Sequence, residues 1–196
     1  MFKSIIIAGV GGQGTLLASK IISAAAEARG LFVRTSETIG MAQRGGSVSS
    51  HIRIGAQDVS PVIPLGHADI LIGFELAEAA RQIPRLCAGA RSVINTDTII
   101  PTNVALKKGK YMETEYLEAL KNRLPDGIFV SASSAATEAG DSRTLNIVLL
   151  GAASGASILP FSEEELRGAM EVCVKPKLLA MNEKAFELGI EMAKSR

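Results

Sequence analysis

Cysteine is scarce in this sequence of 196 residues, and aromatic residues and excess charge of either sign are scarce too. The two cysteines, Cys87 and Cys173, lie far apart, and neither belongs to a C-x-x-C pair. Such a chain has no disulfide framework, and two thiols cannot supply the four cysteine ligands of an iron–sulfur cluster. We therefore expect a reducing, cytoplasmic setting in which both thiols are buried or inert.

The charge balance argues against a nucleic-acid partner. The chain has 21 Lys and Arg residues against 20 Asp and Glu residues, which gives a formal net charge of +1. A polyanion is bound mainly through an excess of positive charge, and this balance does not provide one. Aromatic residues make up 4% of the chain and none of them is Trp, so a base-stacking platform is not expected either.

Long hydrophobic runs and histidine clusters are also missing. The longest apolar stretch, residues 145–159, is interrupted by polar residues and glycines, so it is a poor membrane span. The first apolar run lacks the basic segment and cleavage site of a secretion signal. The two histidines, His51 and His67, are too few to favour a zinc or two-metal site. We expect no membrane partner and no metal held by this chain.

Short apolar runs alternate along the chain with segments of helical periodicity. Residues 5–8 are apolar without alternation, which is typical of a strand buried on both faces of a parallel sheet. Further strands are predicted at residues 31–33, 48–54, 70–72, 92–94 and 128–130. Helices are predicted at residues 76–81, 113–124 and 145–153. The pattern predicts a single domain over residues 1–196, a three-layer α/β/α fold with a doubly wound, mostly parallel sheet and an antiparallel edge strand.

Two strand pairings carry more specific expectations. Residues 5–8, the following helix and residues 31–33 form a βαβ unit, which requires a parallel pair of strands. Residues 48–54 alternate strictly in polarity, and this pattern predicts a half-exposed antiparallel strand at a sheet edge. His51 and Arg53 share the polar face of that strand, so we expect both to be half-exposed side chains.

The strongest local motif is a glycine loop between the first strand and the first helix. Gly9, Gly11 and Gly14 fit the pattern G-x-G-x-x-G, with Gly12 and Gln13 before the last glycine. Glycine permits positive φ and close approach of the backbone, and free N–H groups at a helix start attract an anion. The loop is therefore either a phosphate or pyrophosphate site, or a structural turn that packs the strand against the helix. The sequence leaves both readings open.

A second glycine stretch, residues 40–46, precedes the alternating strand. Within it, Arg44 is a permanently charged guanidinium beside the flexible Gly45 and Gly46, and the hydroxyl of Ser47 follows. These groups can cradle a carboxylate or a phosphate. The alternative is that Arg44 braces its own loop through backbone carbonyls or a partner carboxylate.

Acidic residues near the loops have ordinary explanations. Glu37 stands where a dinucleotide-binding fold places the carboxylate that holds a ribose hydroxyl, and a role in a hydrogen-bond network is the alternative. Glu75 and Glu78 stand at a helix start, where the helix dipole favours acidic side chains. No nucleophile elbow, zinc-protease motif or P-loop lysine accompanies them. The sequence thus predicts a binding fold and indicates no catalytic residues.

Together these motifs resemble a known family. The loop at residues 9–14, followed by residues 17–20, looks like the opening of the gamma-type domain of 2-oxoacid:ferredoxin oxidoreductases. Residues 36–37 and 40–48 resemble, within that family, the small (beta) subunit of the indolepyruvate enzymes. Pyruvate and 2-oxoglutarate relatives tend to carry a Tyr-Gly-Pro type of loop there, which this chain lacks. Softer similarities to the same family occur at residues 74–75, 146–151 and 182–189.

The resemblance implies that the chain is an accessory subunit of an oxidoreductase complex and that this subunit is inactive without its partner. Such a complex converts an aryl pyruvate into aryl-acetyl-CoA and CO2 and reduces ferredoxin, its electron acceptor. Thiamine diphosphate, Mg²⁺ and 4Fe-4S clusters would lie on a large (alpha) partner subunit. The two cysteines and the lack of a thiamine diphosphate motif agree with that placement.

The resemblance also implies a role for the two glycine stretches. In relatives the equivalent domain is associated with coenzyme A, whose pyrophosphate and 3′-phosphate suit the backbone N–H groups of residues 11–14 and 44–47. Residues 12–14 would take a phosphate or lie against the large subunit, and Arg44 would pair with a phosphate or a partner carboxylate.

Two alternatives stay open beside the indolepyruvate assignment. One is the gamma subunit of a pyruvate, branched-chain or 2-oxoglutarate oxidoreductase, and the other is a stand-alone NAD-binding protein. We further expect the isolated chain to form a homodimer through the surface meant for its partner.

Overall fold

Six strands form one mixed sheet in the part of the chain that the computed structural model describes, residues 2–40, 45–55, 57–98 and 111–195. The strands are β1 (Lys3–Val10), β2 (Val33–Ile39), β3 (Ser47–Ile54), β4 (Ala68–Gly73), β5 (Leu86–Asn95) and β6 (Ile128–Val130). Their order across the sheet is β2-β3-β1-β4-β5-β6. The strand β3 runs antiparallel to both of its neighbours, and the remaining pairs are parallel.

Helices cover both faces of this sheet, which confirms the predicted α/β/α fold. They are α1 (Thr15–Ala28), α2 (Leu76–Arg81), α3 (Glu113–Arg123), α4 (Ser133–Ala139), α5 (Leu145–Gly155), α6 (Glu163–Cys173) and α7 (Pro176–Lys194). Helices α2 and α3 cover one face, and α1 and α4–α7 cover the other. Short 3-10 turns lie at Ile83–Arg85 and Ser142–Thr144. In the described ranges no helix combines the length and the apolar character that crossing a membrane requires.

The strand β1 lies in the middle of the sheet and is buried on both sides. Ile5 and Ile7 pack into the core beneath α1, whereas Ile6 and Ala8 pack into the core beneath α2 and α3. A strand that is covered on both faces needs apolar side chains at every position. This is why residues 5–8 show no alternation in polarity.

The second strand lies later in the sequence than predicted. Residues 31–33 were expected to form it, but β2 begins at Val33 and continues to Ile39. Its central residues are polar because β2 is the edge strand of the sheet, where side chains remain in contact with water. The expected parallel pairing of β1 with β2 is also wrong, because β3 lies between them.

The antiparallel pairing predicted at a sheet edge is present, but β3 is the inner member of the pair. It lies between β1 and β2, so its second face is covered. His51 and Arg53 are 3% and 8% exposed, in contrast to the half-exposed positions expected for them. The backbone N–H of Ile63 donates to His51 Nδ1 at 3.2 Å, and Arg53 donates to the carbonyl of Ser60 at 3.0 Å. The segment after β3 therefore folds back over these two side chains.

Helices α5 and α7 approach each other unusually closely. A Cβ atom at Gly151 would lie 2.1 Å from the carbonyl oxygen of Phe186, and one at Gly189 would lie 2.0 Å from the carbonyl oxygen of Val148. Real Cβ atoms do not approach backbone atoms this closely, so the two helices depend on glycine at the crossing. This packing fixes α5, whose first turn borders the glycine loop described below.

Gly151→Ala should destabilise the fold by about 2–3 kcal/mol, because the new methyl group forces α5 and α7 apart. The matched control is Gly168→Ala in α6, where a Cβ atom meets nothing within 4 Å. That substitution should instead stabilise the protein by about 0.5–1 kcal/mol, through helix propensity alone. Urea unfolding of both variants measures the two effects. Equal stability of the two variants would contradict the close helix crossing.

His51 should make the stability of the fold depend on pH. Burial disfavours the imidazolium form and Arg85 repels it, so the pKa of His51 lies below its ordinary value. Between the two pKa values, His51 is therefore protonated in the unfolded chain and neutral in the folded chain. The stability is complete above about pH 6.5 and falls as the pH drops from there towards the folded-state pKa.

We expect His51→Gln to lose less stability than the wild type between pH 8 and pH 5.5, as measured by urea unfolding. The control His67→Gln changes an exposed histidine and should keep the wild-type loss. If His51→Gln and the wild type lose equal stability over this interval, the buried neutral imidazole is not the cause.

Candidate functional site

The two glycine stretches meet at one edge of the sheet because β3 runs antiparallel to β1. In the β1–β3 register Val10 is opposite Ser47, so the end of one strand lies beside the start of the other. Two backbone hydrogen bonds join the stretches: Gly11 N donates to Gly46 O at 2.8 Å, and Gly45 N donates to Gly11 O at 3.1 Å. The structure thus brings together the two motifs that the sequence places some 30 residues apart.

The side chain of Gln13 holds the first loop in place from within. Its Oε1 accepts from Val10 N at 2.7 Å, and its Nε2 donates to the carbonyl of Phe74 at 2.9 Å. Gly9 leaves room for this arrangement, since a Cβ atom there would lie 2.6 Å from Gln13 Oε1. The functional groups of Gln13 are therefore engaged in shaping the loop.

Gly14 starts helix α1 in a left-handed conformation, with φ of +79°. The amide of Asn146 donates to its carbonyl at 3.2 Å, and a Cβ atom at Gly14 would lie 2.6 Å from Asn146 Nδ2. No side chain caps α1. Among the described residues, the backbone N–H groups of Gly12, Gly14, Thr15 and Leu16 have no acceptor. These four N–H groups are the donors that the loop can offer to an anion.

The second glycine stretch is tied to the opposite helix layer. The hydroxyl of Ser47 donates to the carboxylate of Glu78 at 2.6 Å. Glu75 caps helix α2 by accepting from Glu78 N at 2.9 Å, as its position at a helix start suggested. Tyr111 donates to the same Glu75 carboxylate. Partial burial, and then the neighbouring Glu75, raise the pKa of Tyr111 well above its ordinary value, so its phenol keeps its proton.

Two clefts flank the first glycine loop. The arginine cleft, about 340 Å³, is lined by residues 10–13, Gly45, Ser133, Ser142, Arg143 and Leu145. The glutamate cleft, about 540 Å³, is lined by Gly11, Gly12, residues 14–16, Glu37 and Val48. Each cleft takes its name from the one charged residue among the described residues that line it.

The sequence-predicted residues fall into three groups in the structure. The clefts are lined by Gly11, Gly12, Gly14 and Gly45, the loops are shaped by Gly9, Gly46 and Ser47, and Gln13 does both. Arg44 lies outside the described residues. Glu37 lines the glutamate cleft, and its carboxylate accepts from the hydroxyl of Ser50 on β3, which agrees with the hydrogen-bonding alternative for this residue.

Sequence reasoning missed the wall of the arginine cleft that residues 133–145 provide. Ser133 begins α4, and its backbone N–H donates to Asp97 at 2.7 Å. Partial burial works to raise the pKa of Asp97, but hydrogen bonds from Ser131 and Ser133 outweigh it and lower the pKa below its ordinary value. These residues follow the glycine loop by more than 100 positions, and no local pattern links them to it.

The side chains fit some cofactors poorly. Iron–sulfur clusters usually need four cysteine ligands, and the chain has two cysteines in all. Burial raises the pKa of the half-buried Cys173, which keeps that thiol protonated and unreactive. Within the ranges that the structure describes, no three His, Cys, Asp or Glu side chains gather into a group able to hold a metal ion.

Comparison with known proteins agrees with this architecture. The family model for pyruvate ferredoxin/flavodoxin oxidoreductase matches residues 4–192. The indolepyruvate oxidoreductase subunit IorB of Archaeoglobus fulgidus is 42% identical over 195 residues, which cover 98% of this chain and 96% of that protein.

Two solved structures share the fold. The gamma subunit of a keto/oxoacid ferredoxin oxidoreductase from Geobacter sulfurreducens superposes with a TM-score of 0.69 at 24% identity, and 99% of each chain is covered. The 2-oxoglutarate:ferredoxin oxidoreductase of Magnetococcus marinus, solved with 2-oxoglutarate, coenzyme A and succinyl-CoA bound, superposes with a TM-score of 0.71 at 22% identity. All of this chain aligns with 31% of that longer one. The chain therefore belongs to the pyruvate ferredoxin/flavodoxin oxidoreductase family and is a subunit of an oxidoreductase complex.

Proposed function

We propose that the chain is the small accessory subunit of a CoA-dependent ferredoxin oxidoreductase that acts on indolepyruvate. The observation that carries this proposal is the 42% identity to IorB over nearly the whole of both chains. The complex would oxidatively decarboxylate an aryl pyruvate to aryl-acetyl-CoA and CO2 and pass two electrons to ferredoxin. The chain would work in the cytoplasm as one part of that complex.

The electron-carrying clusters would belong to a larger partner subunit. The presence of only two cysteines in this chain supports that division. Thiamine diphosphate with Mg²⁺, also on the partner, would supply the electron sink for decarboxylation. The residues of this chain would bind and orient the second substrate.

We assign the two glycine stretches to the phosphate groups of coenzyme A. The N–H groups of Gly12, Gly14, Thr15 and Leu16, which have no acceptor among the described residues, lie at or next to the start of α1, whose dipole favours a negative charge there. Hydrogen bonds of Gly11 with Gly45 and Gly46 already join the two stretches. The coenzyme A bound to the 2-oxoglutarate enzyme supports a CoA-dependent reaction for a complex built around this fold.

The proposal is tested by recovering the tagged chain from its native cells under anaerobic conditions. We expect a larger subunit with thiamine diphosphate and iron–sulfur absorbance to accompany it. The complex should reduce ferredoxin with indolepyruvate and CoA at a kcat/KM well above that for pyruvate, 2-oxoglutarate or branched-chain 2-oxoacids. A chain that emerges alone and binds NAD(H) would instead be a dinucleotide-binding protein.

Arg44→Ala should raise the KM for CoA about tenfold in the purified complex while the subunits stay together. The physical reason is the loss of a guanidinium that pairs with a phosphate. Lys177→Ala is the control, because it removes an exposed positive charge on α7 and should leave this KM unchanged. Loss of the partner subunit from Arg44→Ala, seen by size-exclusion chromatography, would make Arg44 an interface residue.

Gly45→Ala tests whether a ligand approaches the backbone of the second stretch. Gly45 and Gly30 both have φ of +70°, and at both a Cβ atom would meet none of the described residues within 4 Å. Alanine should therefore cost both variants about 1 kcal/mol of backbone strain in urea unfolding. Only Gly45→Ala should also raise the KM for CoA, by about fivefold, because Gly45 lines the arginine cleft and Gly30 lines neither cleft. An unchanged KM in Gly45→Ala would remove this stretch from the CoA site.

A further inference from the structure

The two clefts beside the glycine loop differ in the sign of their charge. Among the described residues that line them, the arginine cleft contains one cation and no carboxylate, whereas the glutamate cleft contains one carboxylate and no cation. The same glycine backbone borders both clefts, so the N–H groups alone do not decide where an anion binds. The charged side chains break this symmetry, because a phosphate is attracted by Arg143 and repelled by Glu37.

The guanidinium of Arg143 is oriented by Asp141 and keeps a donor group for a phosphate. Its Nε lies 3.0 Å from both carboxylate oxygens of Asp141, and its Nη2 lies 2.5 Å from Asp141 Oδ2. Its Nη1 has no partner among the described residues, and the side chain is 83% exposed. The carboxylate therefore orients the guanidinium and leaves one donor group for a ligand.

The described charged residues around Arg143 leave this side with a net positive charge. Asp141 offsets part of the guanidinium charge, but an adjoining cleft that Arg143 also lines contains Lys175. Ser142 also lines the arginine cleft, and a serine hydroxyl is a donor suited to phosphate oxygens. The hydroxyl of Ser133, by contrast, already forms a hydrogen bond with Asp97.

We propose that the arginine cleft is the phosphate-binding side of the glycine loop and that Arg143 is a binding residue in it. This inference rests on the proposed function for the identity of the ligand, coenzyme A, but the chemistry it names is that of a phosphate or pyrophosphate group. The N–H groups of the loop hold the oxygens from one wall, and Arg143 neutralises their charge from the other. The glutamate cleft is left for a neutral or cationic group.

The test compares three variants in the purified complex and in the isolated chain. Arg143→Ala should raise the KM for CoA about tenfold and weaken the binding of inorganic pyrophosphate to the isolated chain by a similar factor, measured by calorimetry. Glu37→Gln should weaken neither. Lys194→Ala, which breaks the exposed pair with Glu163 far from the loop, should also change neither.

The outcomes separate this inference from the proposed function. A loss of CoA or pyrophosphate binding in Glu37→Gln, with Arg143→Ala unaffected, would place the phosphate in the other cleft and overturn the inference. Wild-type values for Arg143→Ala in both measurements would overturn it as well, while an intact indolepyruvate activity would leave the proposed function standing. If the wild-type complex works without CoA, the proposed function fails, and pyrophosphate binding by the isolated chain then decides the inference alone.

Discussion

The antiparallel register of β1 and β3 is the constraint on which the site depends. In a sheet of parallel strands the start of β3 would lie at the opposite edge from the end of β1, and the two glycine stretches would never meet. Reversal of this one strand places Ser47 beside Val10 and allows Gly11 to exchange hydrogen bonds with Gly45 and Gly46. It also makes β2 the polar edge strand of the sheet, which places the half-buried carboxylate of Glu37 on this side.

The polar side chains of the two glycine loops are hydrogen-bonded within the protein, and this determines which groups remain free for a ligand. Gln13 and Ser47, the polar side chains that a sequence motif would assign to a ligand, are already hydrogen-bonded to Phe74 and Glu78. What remains available is backbone N–H and the side chains of residues brought in from elsewhere. Backbone donors that are already fixed lose little conformational freedom when an anion binds. The loop would therefore recognise an anion through the positions of its N–H groups, and the side chains of the motif would contribute little.

Local periodicity predicted those parts of the fold that depend on local burial. Three elements could be predicted because their own apolar residues pack into the core: the strand at residues 5–8, the helix at Leu76–Arg81 and the strand at Ile128–Val130. The position of β3 could not, since alternation in its polarity looks the same whether a loop or water covers the second face. The position of Arg143 beside the glycine loop could not be predicted either. Arg143 lies just before α5, and α5 is positioned by its close packing on α7 and by the hydrogen bond of Asn146 with Gly14.

The chemistry of the described residues at this edge suits the binding role that we propose for the chain. Its donors are N–H groups, hydroxyls and a guanidinium, and none of these accepts a proton near neutral pH. The carboxylates nearby are occupied: Glu37 by Ser50, Asp97 by Ser131 and Ser133. A site of this composition can hold and orient an anion. These side chains are thus in keeping with the division of labour between subunits that we propose.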